Sequence, residues 1–128
     1  MAKHIAQAAA VAVKAGKVCL VTASSGKKWV VPKGCLEPRL SKREVAKLEA
    51  WEEAGICGKL DRKPIGTYCY EKSGSTFRVT VYLMRVTKVV AKWPERSKRH
   101  RVWVRADQAH ERVKHPQLRS VLREVTKK

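Results

Sequence analysis

Short apolar segments recur along the chain with the pattern of β-strands. Within them, apolar and polar residues alternate loosely, or β-branched and apolar residues follow one another. The predicted strands are residues 4–14, 17–23, 29–31, 64–72, 76–90 and 102–104. A turn at residues 73–75 (SGS) separates the fourth and fifth segments, which therefore predict a hairpin.

Two segments have the pattern of helices. Ser41 precedes the first, and Glu44 follows three positions later, which is typical of a capping box. This helix is predicted over residues 42–54 and ends at Gly55. The segment from about residue 106 onward also predicts helix, interrupted near Pro116 because proline lacks an N–H donor. The order of strands, helix, strands and helix predicts one mixed α/β domain over residues 1–128.

The charge of the chain indicates a class of partner. Lys and Arg number 29 against 11 acidic residues, for a net charge of +18. A field of this sign attracts polyanions such as nucleic acid and phosphorylated small molecules. The chain has no run of about 20 apolar residues, so no membrane span is expected. Its four cysteines show no CxxC spacing, and we expect reduced thiols in a cytoplasmic protein.

The scarce carboxylates are concentrated in one short segment. All five acidic residues of the first 57 lie between positions 37 and 53, and Glu49, Glu52 and Glu53 fall on one face of the predicted helix. Like charges this close oppose helix formation by roughly 0.2–0.5 kcal/mol per pair. Two interpretations account for them. They form a solvated face with Lys42 and Lys47 as partners, or they form a site for a divalent cation, which prefers oxygen ligands.

Fixed spacings across residues 34–56 favour the cation site. The segment resembles the Nudix box, whose pattern is Gly, five residues, Glu, seven residues, Arg-Glu, an aliphatic residue, any residue, Glu-Glu, any residue, Gly and an aliphatic residue. The positions that match are Gly34, Glu49, Ala50, Glu52, Glu53, Gly55 and Ile56. Leu40 and Leu48 stand where the family has a Glu and an Arg that pair with each other. We expect these two leucines to pack together, since replacing both partners avoids an unpaired charge.

The resemblance implies a fold, an activity and a cofactor. Nudix domains have a mixed β-sheet sandwiched between helices (α/β/α). They hydrolyse a nucleoside diphosphate linked to another group, or a related phosphoanhydride, with Mg²⁺ or Mn²⁺. By position, the resemblance implies that Glu49 and Glu53 are metal ligands and that Glu52 is a further ligand or helps to activate water. It also implies that a main-chain carbonyl near Lys33 reaches a metal. Which of the three catalytic glutamates is the general base stays open.

Cationic side chains are the candidates for binding an anionic substrate. Lys33 ranks first because it adjoins the glycine that opens the box. The others are Arg39, Arg43, Lys28 and Arg78. The basic run at residues 96–101 is either a further phosphate-binding segment or a solvated loop.

Several segments, among them WVVPKG, WEEAG and SKRHRVWV, resemble the Nudix group that acts on diphosphoinositol polyphosphates and dinucleoside polyphosphates. This implies a highly phosphorylated small-molecule substrate. One alternative is an RNA 5′-pyrophosphohydrolase, for which nucleic acid is the partner. Another is a catalytically silent module that binds nucleic acid or a phosphorylated ligand, although a binder of anions has little reason to keep a carboxylate cluster. Both a monomer and a homodimer are compatible with the sequence.

Overall fold

A computed structural model of the chain describes residues 3–127. Strands β1 (Lys3–Lys14), β2 (Lys17–Thr22), β3 (Trp29–Val30) and β4 (Lys33–Cys35) precede helix α1 (Lys42–Ala54). Strands β5 (Ile56–Leu60), β6 (Gly66–Lys72), β7 (Ser75–Val89) and β8 (Arg101–Arg105) follow it. Two helices, α2 (Ala109–Arg112) and α3 (Pro116–Val125), come last.

The strands form one mixed sheet. Its central pair is β1 and β7, which run parallel from Lys3 opposite Ser75 to Val13 opposite Arg85. The other pairings are antiparallel, and the main strand order is β3-β2-β1-β7-β5. Strand β4 pairs with β1, β6 pairs with β7, and β8 pairs with β2.

Helices cover both faces of this sheet. Successive residues of β1 point to opposite faces, so Ala8, Ala10 and Ala12 belong to the core under α1, whereas Ala9 and Val11 belong to the core under α2 and α3. The alanines on the α1 side meet small residues of the helix, which are Ala46, Ala50 and Ala54. Small side chains on both surfaces allow a close approach of helix and sheet. The predicted α/β/α arrangement is therefore confirmed.

Three local predictions need correction. The sequence analysis missed β5, a short strand interrupted by Gly58, because it forms only by pairing with the long strand β7. It also assigned no strand to residues 33–35, whereas they form β4 against β1. The predicted helix from residue 106 is largely absent before Pro116, with only the four residues of α2, and Pro116 begins α3 because the first turn does not need its N–H.

The helices are short. Helix α1 has 13 residues, α3 has 10 and α2 has four. Within residues 3–127, none is both long and apolar enough to cross a membrane.

Candidate active site

Helix α1 begins and ends at the predicted residues. At its start, the Ser41 Oγ accepts a hydrogen bond from the Glu44 N–H (3.1 Å), and the Glu44 Oε1 accepts one from the Ser41 N–H (2.9 Å). At its end, Gly55 adopts a left-handed conformation with φ of 67°. The carboxylates predicted to be functional lie along the last turns of this helix.

Glu49 and Glu53 lie one turn apart and are joined side chain to side chain. Glu53 is only 4% exposed, whereas Glu49 is half-buried. Burial and a hydrogen bond with Glu49 raise the pKa of Glu53 to about 8, although Arg99 opposes the shift. Burial and the charges of Glu52 and Glu95 also raise the pKa of Glu49. Both carboxyl groups therefore hold a proton more readily than a free glutamate does.

This donor set fits a divalent cation. Two carboxyl groups that are buried together repel each other when both are ionised, and a shared proton relieves the repulsion. A divalent cation between the same oxygens would relieve it more fully and would suit their hard character. The role of Glu49 and Glu53 as metal ligands stays a prediction.

Glu52 lies beside this pair but does not complete a set of three. In the part of the chain that the structure describes, no group of three or more His, Cys, Asp and Glu side chains is arranged to hold a metal ion. On a helix, residues 49 and 53 point nearly the same way, whereas residue 52 lies about 60° away from residue 49. A role for Glu52 as a further ligand stays a prediction.

Strand β4 brings Gly34 and Lys33 against this end of α1. A Cβ atom on residue 34 would overlap the Cδ of Glu49, so any other residue there would displace the Glu49 carboxyl group. Lys33 is half-buried, and its ammonium lies 5.3 Å from the centre of the Tyr70 ring. Burial lowers the pKa of Lys33, while the nearby Glu53 opposes the shift. The box glycine therefore lies against Glu49, and the first-ranked lysine is close enough for the charge of Glu53 to act on it.

A polar network continues from Lys33 along the sheet. The Tyr70 hydroxyl donates to the Gln7 Oε1 at 2.7 Å, and the Gln7 Nε2 lies 3.5 Å from the Cys35 Sγ. The Tyr70 ring stacks on Phe77 with 4.9 Å between ring centres. These contacts fix the aromatic ring that lies beside the lysine.

Residues 90–101, named here the clasp, hold the C-terminal end of α1. The Glu95 N–H donates to the Glu52 carbonyl, and the Trp93 indole N–H donates to the Glu53 carbonyl, both at 2.9 Å. The Arg101 guanidinium donates to the Ala54 carbonyl at 2.7 Å and stacks on Trp93 at 4.2 Å. Main-chain carbonyls that a helix leaves unpaired at its end are thus satisfied by a distant segment.

The clasp also brings an arginine to the carboxylate pair. The Arg99 Nη1 lies 3.7 Å from the Glu53 Oε1, and its Nε donates to the Glu95 Oε1 at 2.7 Å. The Arg99 side chain is only 16% exposed. Sequence analysis named the basic run at residues 96–101 but had no means of singling out Arg99, because four of the six residues there are Lys or Arg. Its alternative of a wholly solvated loop is wrong for this side chain.

The other predicted substrate-binding residues do not join the carboxylate pair. Arg43 donates to the Leu60 carbonyl at 3.0 Å, which ties it to β5. Lys28 is exposed in the turn between β2 and β3, Arg39 is exposed before α1, and Arg78 is exposed on β7. Within residues 3–127, none of these four has an ion pair with a carboxylate of the box.

The two leucines that replace the charged pair of the box are both half-buried. Leu40 packs against the core under α1. Direct packing of Leu40 on Leu48 stays a prediction.

A family model described as the NUDIX domain matches residues 2–127. The chain belongs to the NUDIX domain family. The match spans both faces of the sheet as well as the box, and the fold described above is that of a Nudix domain.

Curated relatives carry Nudix names. The chain is 36% identical to Nudix hydrolase 4 of Arabidopsis thaliana over 97 residues, which cover 74% of this chain and 46% of that protein. It is 31% identical over 114 residues to Nudix hydrolase 16, mitochondrial, of the same plant, covering 83% and 63%. It is 34% identical over 83 residues to diphosphoinositol polyphosphate phosphohydrolase 2 of Mus musculus, covering 63% and 45%. The chain thus spans roughly half to two thirds of the length of these relatives.

Solved structures share the fold. A NUDIX hydrolase from Nitrosomonas europaea superposes with a TM-score of 0.81 at 19% identity, covering 98% of this chain and 90% of that one. The Ap4A hydrolase of C. elegans superposes with a TM-score of 0.76 at 22% identity, covering 99% and 98%. Because the name of one relative given above includes "mitochondrial", the expected cytoplasmic location stays a prediction.

Proposed function

We propose that this Nudix domain hydrolyses a phosphoanhydride with the help of Mg²⁺ or Mn²⁺. The observation that carries the proposal is the pair of Glu49 and Glu53 at the end of α1, in which Glu53 is buried and Glu49 lies against Gly34. Burying two neighbouring carboxyl groups costs free energy that a structural role does not require. A cation-binding role explains why the chain keeps them.

Glu49 and Glu53 would hold the metal, with Glu52 and a main-chain carbonyl near Lys33 as further ligands. A bound divalent cation stabilises charge on the oxygens of a phosphoanhydride and lowers the pKa of bound water. The glutamates direct this chemistry by fixing where the reacting phosphate lies. Which of the three accepts the proton of water stays open.

Lys33 would bind an oxygen of the substrate beside the carboxylate pair. Its neighbours Tyr70 and Glu53 hold the ammonium at the site, and partial burial strengthens its attraction for an anion. Lys28, Arg39 and Arg78 lie outside the pair and would act at longer range, as part of the field of a chain with a net charge of +18. Arg43 would add little beyond this field, because Leu60 holds its guanidinium.

The names of similar proteins support two substrate classes. One relative is named a diphosphoinositol polyphosphate phosphohydrolase, and one structural neighbour is an Ap4A hydrolase. We therefore propose diphosphoinositol polyphosphates or dinucleoside polyphosphates as substrates, in a cytoplasmic monomer or homodimer. Removal of 5′-terminal phosphates from RNA and silent binding of a phosphorylated ligand are the alternatives that the test must separate.

The test is a screen for phosphate release from diphosphoinositol polyphosphates, dinucleoside polyphosphates, ADP-ribose, nucleoside triphosphates and 5′-triphosphorylated RNA. Each substrate is incubated with Mg²⁺, with Mn²⁺ and with a chelator. We expect turnover of a polyphosphate of the first two classes that stops with the chelator. Turnover of RNA alone would replace the substrate assignment, and binding without any turnover would identify a silent module.

A further inference from the structure

The C-terminal end of α1 gathers negative charge from two sources. The helix dipole places partial negative charge on its last carbonyls, and Glu49, Glu52 and Glu53 add carboxylates to the same end. A basic residue in the last turn would offset both, but this helix has none there. The compensating cations have to come from elsewhere in the chain.

The box itself does not supply a cation to these carboxylates. Leu48 stands at the position of the arginine in the Nudix pattern, directly before Glu49. Within residues 3–127, Arg99 is the one basic side chain whose nitrogen lies within 4.0 Å of a carboxylate of the box. It comes from the clasp, 46 positions after Glu53 in the sequence.

Arg99 is held in place by contacts that do not depend on Glu53. Its Nη1 donates to the Thr22 carbonyl at 2.9 Å, at the end of β2. The next residue is bound to the same threonine, since the His100 N–H donates to the Thr22 Oγ1 at 3.0 Å. The guanidinium is therefore a fixed reference point on the sheet, and not a mobile surface group.

From this fixed point, Arg99 faces two carboxylates at once. Its Nε donates a hydrogen bond to the Glu95 Oε1 at 2.7 Å. Its Nη1 lies 3.7 Å from the Glu53 Oε1, so Arg99 and Glu53 form an ion pair without a hydrogen bond. The arginine thus attracts and orients the Glu53 carboxylate without occupying its oxygens. A planar guanidinium does this better than the single ammonium of lysine, because it bonds a carbonyl and a carboxylate in fixed directions.

We propose that Arg99 is a positioning residue, which holds the Glu53 carboxylate in the direction that binds a divalent cation. The proposal rests on the proposed function for its kinetic consequences, but its effect on cation binding is measured without substrate. Arg99 does not act on the substrate itself. Its removal should lower cation affinity and turnover together.

The test compares Arg99→Met and Arg99→Lys with Arg96→Met, which removes the same charge from an exposed position of the same loop. Mn²⁺ binding is measured by calorimetry in the absence of substrate, and kcat and KM are measured with the substrate found in the screen. We expect Arg99→Met to weaken Mn²⁺ binding and to lower kcat by about 10-fold or more each. KM should stay within about 2-fold, because substrate contacts are unchanged. Arg99→Lys should fall between this variant and the wild type.

Arg96→Met measures the effect of losing one positive charge from the electrostatic field of the whole chain, and we expect it to match the wild type in Mn²⁺ affinity. Equal losses in Arg96→Met and Arg99→Met would overturn the proposal, as would unchanged Mn²⁺ affinity in Arg99→Met. A rise in KM alone, with Mn²⁺ affinity and kcat unchanged, would show that Arg99 binds the substrate and does not position Glu53. If Arg99→Met does not fold, Arg99→Lys is the variant that tests the proposal, because it keeps the positive charge and loses only the fixed directions of the guanidinium. Its Mn²⁺ affinity should then be lower than that of the wild type. If the wild type binds Mn²⁺ but hydrolyses no substrate, only the proposed function is contradicted. The comparison of Mn²⁺ affinities among the variants then still tests the positioning role of Arg99.

Discussion

The two ends of α1 are stabilised in opposite ways. At the N-terminal end, Ser41 and Glu44 satisfy each other's main-chain N–H groups within four residues. At the C-terminal end, no basic residue is local, and the carbonyls and carboxylates are satisfied by the clasp, residues 90–101. The first end needs only its own sequence to form, whereas the second depends on the completed sheet. The end that needs the whole fold is the one that carries the candidate site.

The largest expected difference between the two ends is in activity. Glu53→Gln keeps the shape of the side chain but removes the charge that holds the cation. We expect kcat to fall by roughly 1000-fold, which corresponds to about 4 kcal/mol of lost transition-state stabilisation. Glu44→Gln makes the same chemical change at the other end of the helix and should leave kcat nearly unchanged. Full turnover by Glu53→Gln would end the catalytic role of this glutamate.

The close approach of β4 should matter almost as much as the charge. Gly34→Ala places a methyl group where the Glu49 carboxyl group lies, and we expect a cost of about 1 kcal/mol of stability, the low end for overpacking, because this side chain can move aside. Displacement of Glu49 should also lower kcat. Gly66→Ala is the control, since the nearest atoms to its methyl group would belong to the Val121 side chain on α3, with Cγ2 closest at 3.1 Å. Denaturant melts in which both variants match the wild type would contradict the tight fit at residue 34.

A smaller effect is expected from removing the local cap. Ser41→Ala takes away the acceptor for the Glu44 N–H, and loss of such a cap costs about 1 kcal/mol of stability. Because the C-terminal end is held by the clasp, kcat measured well below the melting temperature should not change. A large loss of kcat would show that the two ends are coupled through the helix.

The pH dependence of stability should have opposite signs at the two ends. Hydrogen bonds from Ser41 lower the pKa of Glu44, so its contribution is present above pH 4.5 and is lost as pH falls through the folded-state value. The pKa of Glu53 is raised from 4.5 to about 8, so its favourable contribution is complete below pH 4.5 and is lost as pH rises through 8. With a chelator present, Glu44→Gln should lose stability relative to the wild type at pH 7, and the loss should shrink as pH falls below 4.5. Glu53→Gln should gain relative stability as pH rises from 5 to 9. If the difference in stability from the wild type changed with pH in the same direction for both variants, the predicted contrast between the two ends of the helix would be wrong.

Much of the fold followed from patterns confined to short segments. The bounds of α1 were predicted correctly because a capping box and a terminal glycine mark them directly. The hairpin of β6 and β7 was predicted from alternation around a turn. Strand β5 was missed because its five residues carry no such pattern and become a strand only beside β7.

The candidate site shows the same division. Glu49, Glu53 and Gly34 were predicted from their spacing, and the structure brings them together. Arg99 was named only as one member of a basic run, because its partners Thr22, Glu53 and Glu95 come from three separate segments. Lys28, Arg39 and Arg78 were proposed on charge alone, which does not tell a residue at the site from one at the surface of so basic a chain.

The sequence by itself determined the helix that carries the glutamates, the glycine that lies against them and the alternation that buries each strand. These features depend on neighbours a few residues away, where the chain's own geometry sets every distance. Only the tertiary structure decided which cation faces Glu53, because that choice depends on where β2 and the clasp meet once the sheet has formed. A charge acts over a few ångströms of space and not over positions in a sequence, so its partner becomes known only when the fold does.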